Sequence, residues 1–179
     1  MSLKFITAAV AGAALCWSAA ASAPVVLEAR EAPAASYYKA TFRVGHGCKG
    51  SPTTQIKVTL PEGVNTAKPQ PKAGWTYAAV KGPVAADPHA GHAGHGDHGP
   101  APTERTAVAT WIGGPLADDQ YDEFVLMLKL PDAPGATLYF PVEQVCAEGV
   151  NRWVQIPAAG QPLRDLKEPA AALKLTPKP

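Results

Sequence analysis

Tyr37-Tyr38-Lys39-Ala40-Thr41-Phe42-Arg43-Val44 is the clearest strand pattern in the chain. Apolar side chains occupy every second position from Tyr38 to Val44, and Lys39, Thr41 and Arg43 lie between them. Because successive side chains of a β-strand point to opposite faces, this alternation predicts a strand with one face in a core.

Six further runs around this stretch are also typical of strands. They lie at residues 55–60, 75–81, 105–112, 123–130, 137–145 and 151–156, separated by Gly, Pro, Asn or Asp. The run at 123–130 is apolar at both alternating sets of positions, which is compatible with burial on two faces. No segment keeps a helical period. We therefore predict an all-β protein, an antiparallel β-sandwich of about seven strands.

The N-terminal residues are typical of a secretory signal. A basic start at residues 1–4 precedes an apolar run at 5–17 and small residues at 18–23. This order predicts a signal peptide over residues 1–23, and the run is too short to span a bilayer comfortably. Cleavage after Ala23 places Pro24 just after the cut, so cleavage after Ala21 is an alternative. We expect a periplasmic protein without membrane insertion after signal removal.

Charge and cysteine content narrow the function classes. The chain has 16 Lys plus Arg against 15 Asp plus Glu, a balance that does not favour a nucleic-acid partner. Two cysteines remain after the signal, Cys48 and Cys146. Distant cysteines of an exported protein most often pair, so we predict a Cys48–Cys146 disulfide. The alternative is a thiolate metal site that includes His46.

Two segments differ in composition from the predicted strands. Residues 83–103 form an insertion almost without large apolar side chains, and residues 162–179 form a Pro/Ala/Lys-rich tail in which we expect little packing. The predicted sandwich domain therefore spans residues 24–161. Residues 170–175 are compatible with a helical turn.

The insertion carries the strongest chemical signal, a histidine at every third position. These residues are His89, His92, His95 and His98, four of the five histidines of the chain. Neutral imidazole binds Cu(II), Ni(II) and Zn(II), and a His-rich tract indicates metal binding. The intervening Gly and Ala residues let a backbone fold around an ion. A solvated polar loop is the alternative.

Other candidate residues are weaker. His46 lies at a predicted strand end, where a local turn role is about as plausible as a functional one, and Trp153 is most simply a core aromatic. We interpret the carboxylates near residues 118–123 as a solvated surface. The nucleophile elbow, the zinc-protease motif, the phosphate loop and the dinucleotide fingerprint are all missing from the sequence, so we do not expect an enzyme.

Six motifs resemble those of the YcnI-like domain family and occur in its order. They are SYYKATFRVGHGCKGSPTT at 36–54, LPEGV at 60–64, PKAGW at 71–75, YDEF at 121–124, LYFPV at 138–142 and RW at 152–153. The resemblance covers residues 25–161. It implies an exported immunoglobulin-like or cupredoxin-like β-sandwich that handles copper, with copper chaperones or CopC/CopD-type transport proteins as partners.

The resemblance also implies a Cu(II) site in which an N-terminal histidine chelates the ion beside a carboxylate and a tryptophan. Trp153 matches that tryptophan, and Glu28 is a candidate carboxylate. Pro24 stands where the family has its histidine, before Val25-Val26-Leu27-Glu28. We therefore expect the brace to be absent and the metal, Cu(II) first and Zn(II) or Ni(II) as alternatives, to bind the His-rich insertion.

Three functions are compatible with the sequence. The first is an exported copper-binding protein for capture, delivery or homeostasis of the ion. The second is a copper-dependent oxidative enzyme, against which the loss of the brace histidine at Pro24 argues. The third is a degenerate sandwich that serves as a protein-interaction module.

Overall fold

The computed structural model describes residues 24–84 and 103–178, and this part of the chain is built from β-strands. The strands are β1 (Val26–Leu27), β2 (Glu31–Pro33), β3 (Tyr37–Val44), β4 (Thr53–Thr59), β5 (Thr66–Pro69), β6 (Trp75–Pro83), β7 (Glu104–Leu116), β8 (Asp122–Lys129), β9 (Thr137–Phe140), β10 (Val142–Cys146), β11 (Val150–Trp153) and β12 (Ala171–Thr176). The predicted signal segment 1–23 lies outside the described residues.

The strands form three sheets. The first has the order β1-β3-β8-β5, the second β11-β10-β4-β7-β6 and the third β2-β12-β9. Neighbouring strands are antiparallel except β2 and β12, which run parallel. The predicted all-β fold is confirmed. It contains more strands than the seven runs predicted, because short β1, β2 and β5 and the late β12 leave weak patterns in the sequence.

The apolar faces of the sheets enclose one core. Phe42 of the first sheet contacts Phe140 of the third with ring centroids 5.7 Å apart. Trp111 of the second sheet lies edge-on to Phe124 of the first at 5.5 Å. These contacts join all three sheets, and burying such aromatic side chains is the largest favourable term available to a domain of this size.

Strand β8 buries one face rather than two. Phe124, Leu126 and Leu128 are fully buried, whereas Met127 on the opposite face is 42% exposed. The strand pairs with β3 on one side and β5 on the other, so its backbone is satisfied although one face remains open. The expected burial on both faces is therefore wrong, because the outer face is partly exposed although it carries apolar residues.

A break at Pro141 divides the predicted run at residues 137–145 into two strands. Strand β9 pairs with β12 in the third sheet, and β10 pairs with β4 and β11 in the second. Proline has no N–H to donate, so the ladder is interrupted there and the chain passes from one sheet to the next. The Pro141 carbonyl still accepts a hydrogen bond from the Thr59 N–H at 2.9 Å.

The expectation that residues 162–179 do little packing is wrong, as is the expected helical turn at 170–175. Strand β12 lies at the centre of the third sheet, and Ala171, Leu173 and Leu175 are buried in the core. A single 3-10 turn, Leu163–Asp165, precedes it. The strand was not predicted because two alanines and the flanking prolines weaken its apolar alternation. In the sheet, the alternate residues nevertheless face the core. In the described ranges, no helix is long and apolar enough to cross a membrane.

Candidate functional site

The four histidines of the insertion, His89, His92, His95 and His98, lie outside the described residues, which stop at 84 and resume at 103. The structure describes the base from which that segment departs. Strands β6 and β7 pair from Trp75↔Gly113 to Pro83↔Glu104. Beyond them, the Val84 N–H donates to the Thr103 carbonyl at 3.0 Å. The two ends of the His-rich segment therefore lie side by side at the tip of a long hairpin.

The two mature cysteines form the predicted disulfide. Cys48 and Cys146 are bonded, with their Cα atoms 5.9 Å apart, and both are 5% exposed. Sulfur atoms in a disulfide carry no thiolate charge and are not available as metal ligands. The alternative of a thiolate site that includes His46 is therefore wrong for this oxidised state.

His46 occupies a turn just after β3 that is fixed on several sides. Its Nδ1 atom lies 2.6 Å from the Gly47 carbonyl oxygen, and its own carbonyl accepts a hydrogen bond from Gln144 Nε2 at 2.6 Å. The Gly47 N–H donates to Asp118 Oδ1 at 2.9 Å. A carboxylate from the turn that we interpreted as a solvated surface thus has a structural role.

Gly47 is required by close packing in this turn. A Cβ atom added there would lie 1.9 Å from the Ser51 carbonyl oxygen, far inside van der Waals contact. The Cys48 and Ser51 backbones exchange two hydrogen bonds at the same place, which leaves no room for displacement. The position of His46 is therefore fixed by the tight backbone turn that Gly47 permits.

Gln144 joins His46 to Trp153 in a buried polar network. Its Oε1 accepts hydrogen bonds from Trp153 Nε1 at 3.3 Å and from Asn151 Nδ2 at 3.2 Å. Its Nε2 also donates to Thr53 Oγ1 at 2.8 Å. Gln144 is 1% exposed, so this amide is satisfied by protein groups, as buried polar side chains must be.

Sequence reasoning missed Gln144, although a signal was present. The residue lies between Val142 and Cys146 at the inward position of its strand, where an apolar side chain is expected. A polar residue at such a position indicates a buried hydrogen-bonding partner. Here that partner is Trp153, which is 2% exposed and belongs to the core, as its simplest interpretation predicted.

Glu28, the candidate carboxylate of the copper site that the resemblance implied, takes no part in this network around Gln144. Its carboxylate lies 3.8 Å from the Arg43 guanidinium, which also contacts Glu123 at 3.3 Å. Burial, and to a smaller extent the charge of this carboxylate, raises the pKa of Tyr38 to about 12. Tyr38 donates its hydroxyl to the Ala29 carbonyl at 2.5 Å. Glu28 therefore takes part in a surface ion-pair cluster.

The described donors do not assemble a metal site. Within residues 24–84 and 103–178, no group of three or more His, Cys, Asp or Glu side chains could hold an ion. Pro24, at the position where the resemblance places a histidine, supplies no imidazole, and the absence of the brace remains a prediction. His89, His92, His95 and His98 lie outside the part of the chain in which this search was possible.

Comparison with known proteins identifies the domain. A family profile described as a domain of unknown function, DUF1775, matches residues 24–175. A solved structure of an uncharacterized protein from Nocardia farcinica, described as revealing an immunoglobulin-like fold, is 28% identical with a TM-score of 0.61, and the match covers 85% of this chain and 97% of that chain. No curated protein matches the chain significantly.

Proposed function

The chain belongs to the DUF1775 family, the YcnI-like family that its motifs indicated, and from that premise we propose that it is an exported copper-binding protein. It captures or delivers Cu(II) in the periplasm, and its partners are copper chaperones or CopC/CopD-type transport proteins. The ion is cargo, so the protein is a binder and not an enzyme.

One observation carries the proposal: four histidines spaced three residues apart, at positions 89, 92, 95 and 98. Several imidazoles within ten residues offer the intermediate-softness nitrogen donors that Cu(II) prefers over carboxylate or carbonyl sites. The hydrogen bond between Val84 and Thr103 supports it, because the segment begins and ends at one place on the sandwich. Zn(II) and Ni(II) are the competing ions.

A titration with Cu(II) tests the proposal. The exported protein is loaded in the presence of a weak competing chelator, and stoichiometry and affinity are measured for the wild type and for a variant with all four histidines changed to Ala. The matched control is His46→Ala, which removes the one histidine outside the segment. We expect the fourfold variant to lose copper binding and the control to keep it.

Unchanged stoichiometry and affinity in the fourfold variant would contradict the proposed ligands. Loss of binding in both variants would place His46 among the ligands. Electron paramagnetic resonance adds an independent readout, because nitrogen hyperfine structure should appear with the wild type and disappear with the fourfold variant. The same titration with Zn(II) and Ni(II) ranks the three ions.

A further inference from the structure

A groove between the chain before β2 and strand β12 has the properties of a ligand site. It encloses about 440 Å³ between the segment before β2 and the chain around the 3-10 turn Leu163–Asp165. Its walls are mostly apolar, formed by Pro24, Val26, Leu163, Pro169, Ala170 and Ala172. A volume of this size is typical of small-molecule sites, which run from roughly 300 to 1,000 Å³.

The strand period explains why this face is open. Ala171, Leu173 and Leu175 of β12 point into the core, so Ala172 and Lys174 point outward. Thr137 of β9 pairs with Lys174 and also lines the groove. The small Ala172 side chain leaves space that a larger residue would fill.

The charged residues that line the groove are all basic: Arg30, Arg164 and Lys174. The Lys174 N–H donates to the Arg30 carbonyl at 2.9 Å, so two of the three cations lie on adjacent backbone segments. Neither makes an ion pair within residues 24–84 and 103–178. Arg164 has a contact with Asp165 at 3.9 Å, and its side chain is 85% exposed, so that pair contributes little.

Besides Asp165, a second acidic residue lies near these cations. Glu31 pairs in register with Lys174 across β2 and β12, but it does not line the groove. The lining itself therefore combines an apolar wall with two cations, Arg30 and Lys174, that make no ion pair among the described residues. A ligand that matches both features has an apolar body and an anionic head group, because charge-assisted hydrogen bonds from Arg and Lys suit a carboxylate.

We propose that this groove binds a single-chain carboxylate amphiphile of the fatty-acid type. The acyl chain lies along the apolar wall at Ala172, and the carboxylate lies against Arg30 and Lys174. The N-terminal residues 1–23 are the other apolar candidate, since Pro24 lines the groove, but they contain Lys4 and no acidic residue. They therefore offer no side-chain carboxylate to the cations. The inference is independent of the proposed copper binding.

Calorimetric titration of the exported protein with dodecanoate, below the concentration at which it forms micelles, tests this inference. We expect saturable binding of one molecule per chain, and at least about tenfold weaker binding of dodecyltrimethylammonium, because the cationic head meets like charges. Absence of saturable dodecanoate binding, or equal binding of the two amphiphiles, would overturn the inference.

Two variants and a control locate the site. Changing Arg30 and Lys174 together to Gln should weaken dodecanoate binding at least about tenfold through loss of charge-assisted hydrogen bonds. Ala172→Trp should block the groove and abolish binding. Lys39→Gln removes an exposed cation of β3 that does not line the groove, and it should change nothing. Equal affinities for all three, with unchanged melting temperatures, would refute the location.

Discussion

At the residue scale, the turn at residues 45–48 shows how a small number of atoms position a side chain. Gly47 fits only because it lacks a Cβ atom, and its N–H is held by Asp118. The adjacent Gln144 amide then holds the His46 carbonyl and the Trp153 indole at one place. The backbone of His46 and the indole of Trp153 are thus linked through one buried amide.

Gly47→Ala should destabilise the protein by about 2 kcal/mol or more, because the new methyl group overlaps the Ser51 carbonyl and forces the turn apart. Gly45→Ala is the matched control, since a Cβ atom there meets nothing within 4 Å. Urea unfolding of both variants measures the difference. Equal stabilities would show that the turn rearranges without cost.

Tyr38 should make stability fall at alkaline pH. Burial, with a smaller contribution from Glu28, raises its folded-state pKa from 10.0 to about 12. A raised pKa means that the neutral phenol stabilises the fold below pH 10, and that this contribution is lost as the pH rises from about 10 to about 12. Tyr38→Phe should remove that part of the alkaline loss.

The Tyr38→Phe variant should also lose about 1 kcal/mol at neutral pH, because the Ala29 carbonyl loses its donor. Unfolding free energies measured from pH 8 to pH 12 test both parts. Tyr37→Phe is the control, since Tyr37 is 69% exposed. A Tyr38→Phe profile parallel to that of the wild type would contradict the prediction.

At the element scale, the sequence predicted the longer strands and missed the short β1, β2 and β5 and the Ala-containing β12. Strand β3 was predicted with its observed ends, because eight alternating residues leave little ambiguity. Strand β12 was missed because two of its positions are Ala, whose small side chain carries little periodic signal. Gln144 was missed for a different reason: hydrogen-bond partners distant in sequence depend on sheet pairing, which a single-strand pattern does not show.

Leu173→Ala should destabilise the protein by about 2 to 5 kcal/mol, because it opens a cavity beneath a central strand of the third sheet. Lys174→Ala, at the next position on the opposite face, should change stability by less than about 0.5 kcal/mol. Thermal unfolding of the pair separates the two faces of β12. Similar losses for both would argue against the described alternation.

At the scale of the whole molecule, the disulfide ties together distant parts of the chain. Cys48 lies after β3 and Cys146 is the last residue of β10. The bond therefore links two segments that are 98 residues apart in the sequence. Such a bond is typical of exported proteins, and the signal peptide itself remains a prediction.

Changing both cysteines to Ser should lower the free energy of unfolding by about 4 to 5 kcal/mol in the chain-entropy model, because the unfolded chain loses a constraint that closes a very long loop. Guanidinium unfolding of the variant and of the wild type, each with and without reductant, measures the effect. Reductant should lower the stability of the wild type only. A reductant effect on the variant would show that another process contributes.

The hydrogen bond between Val84 and Thr103 has a consequence for how this chain can vary. Lengthening a closed loop costs little conformational entropy, since each doubling of its length costs only about 0.6 kcal/mol. A segment whose two ends already meet can therefore gain or lose residues while the sheet beneath it keeps its register. The number of histidines between residues 84 and 103 is thus a quantity that evolution, or an engineer, can adjust separately from the stability of the sandwich.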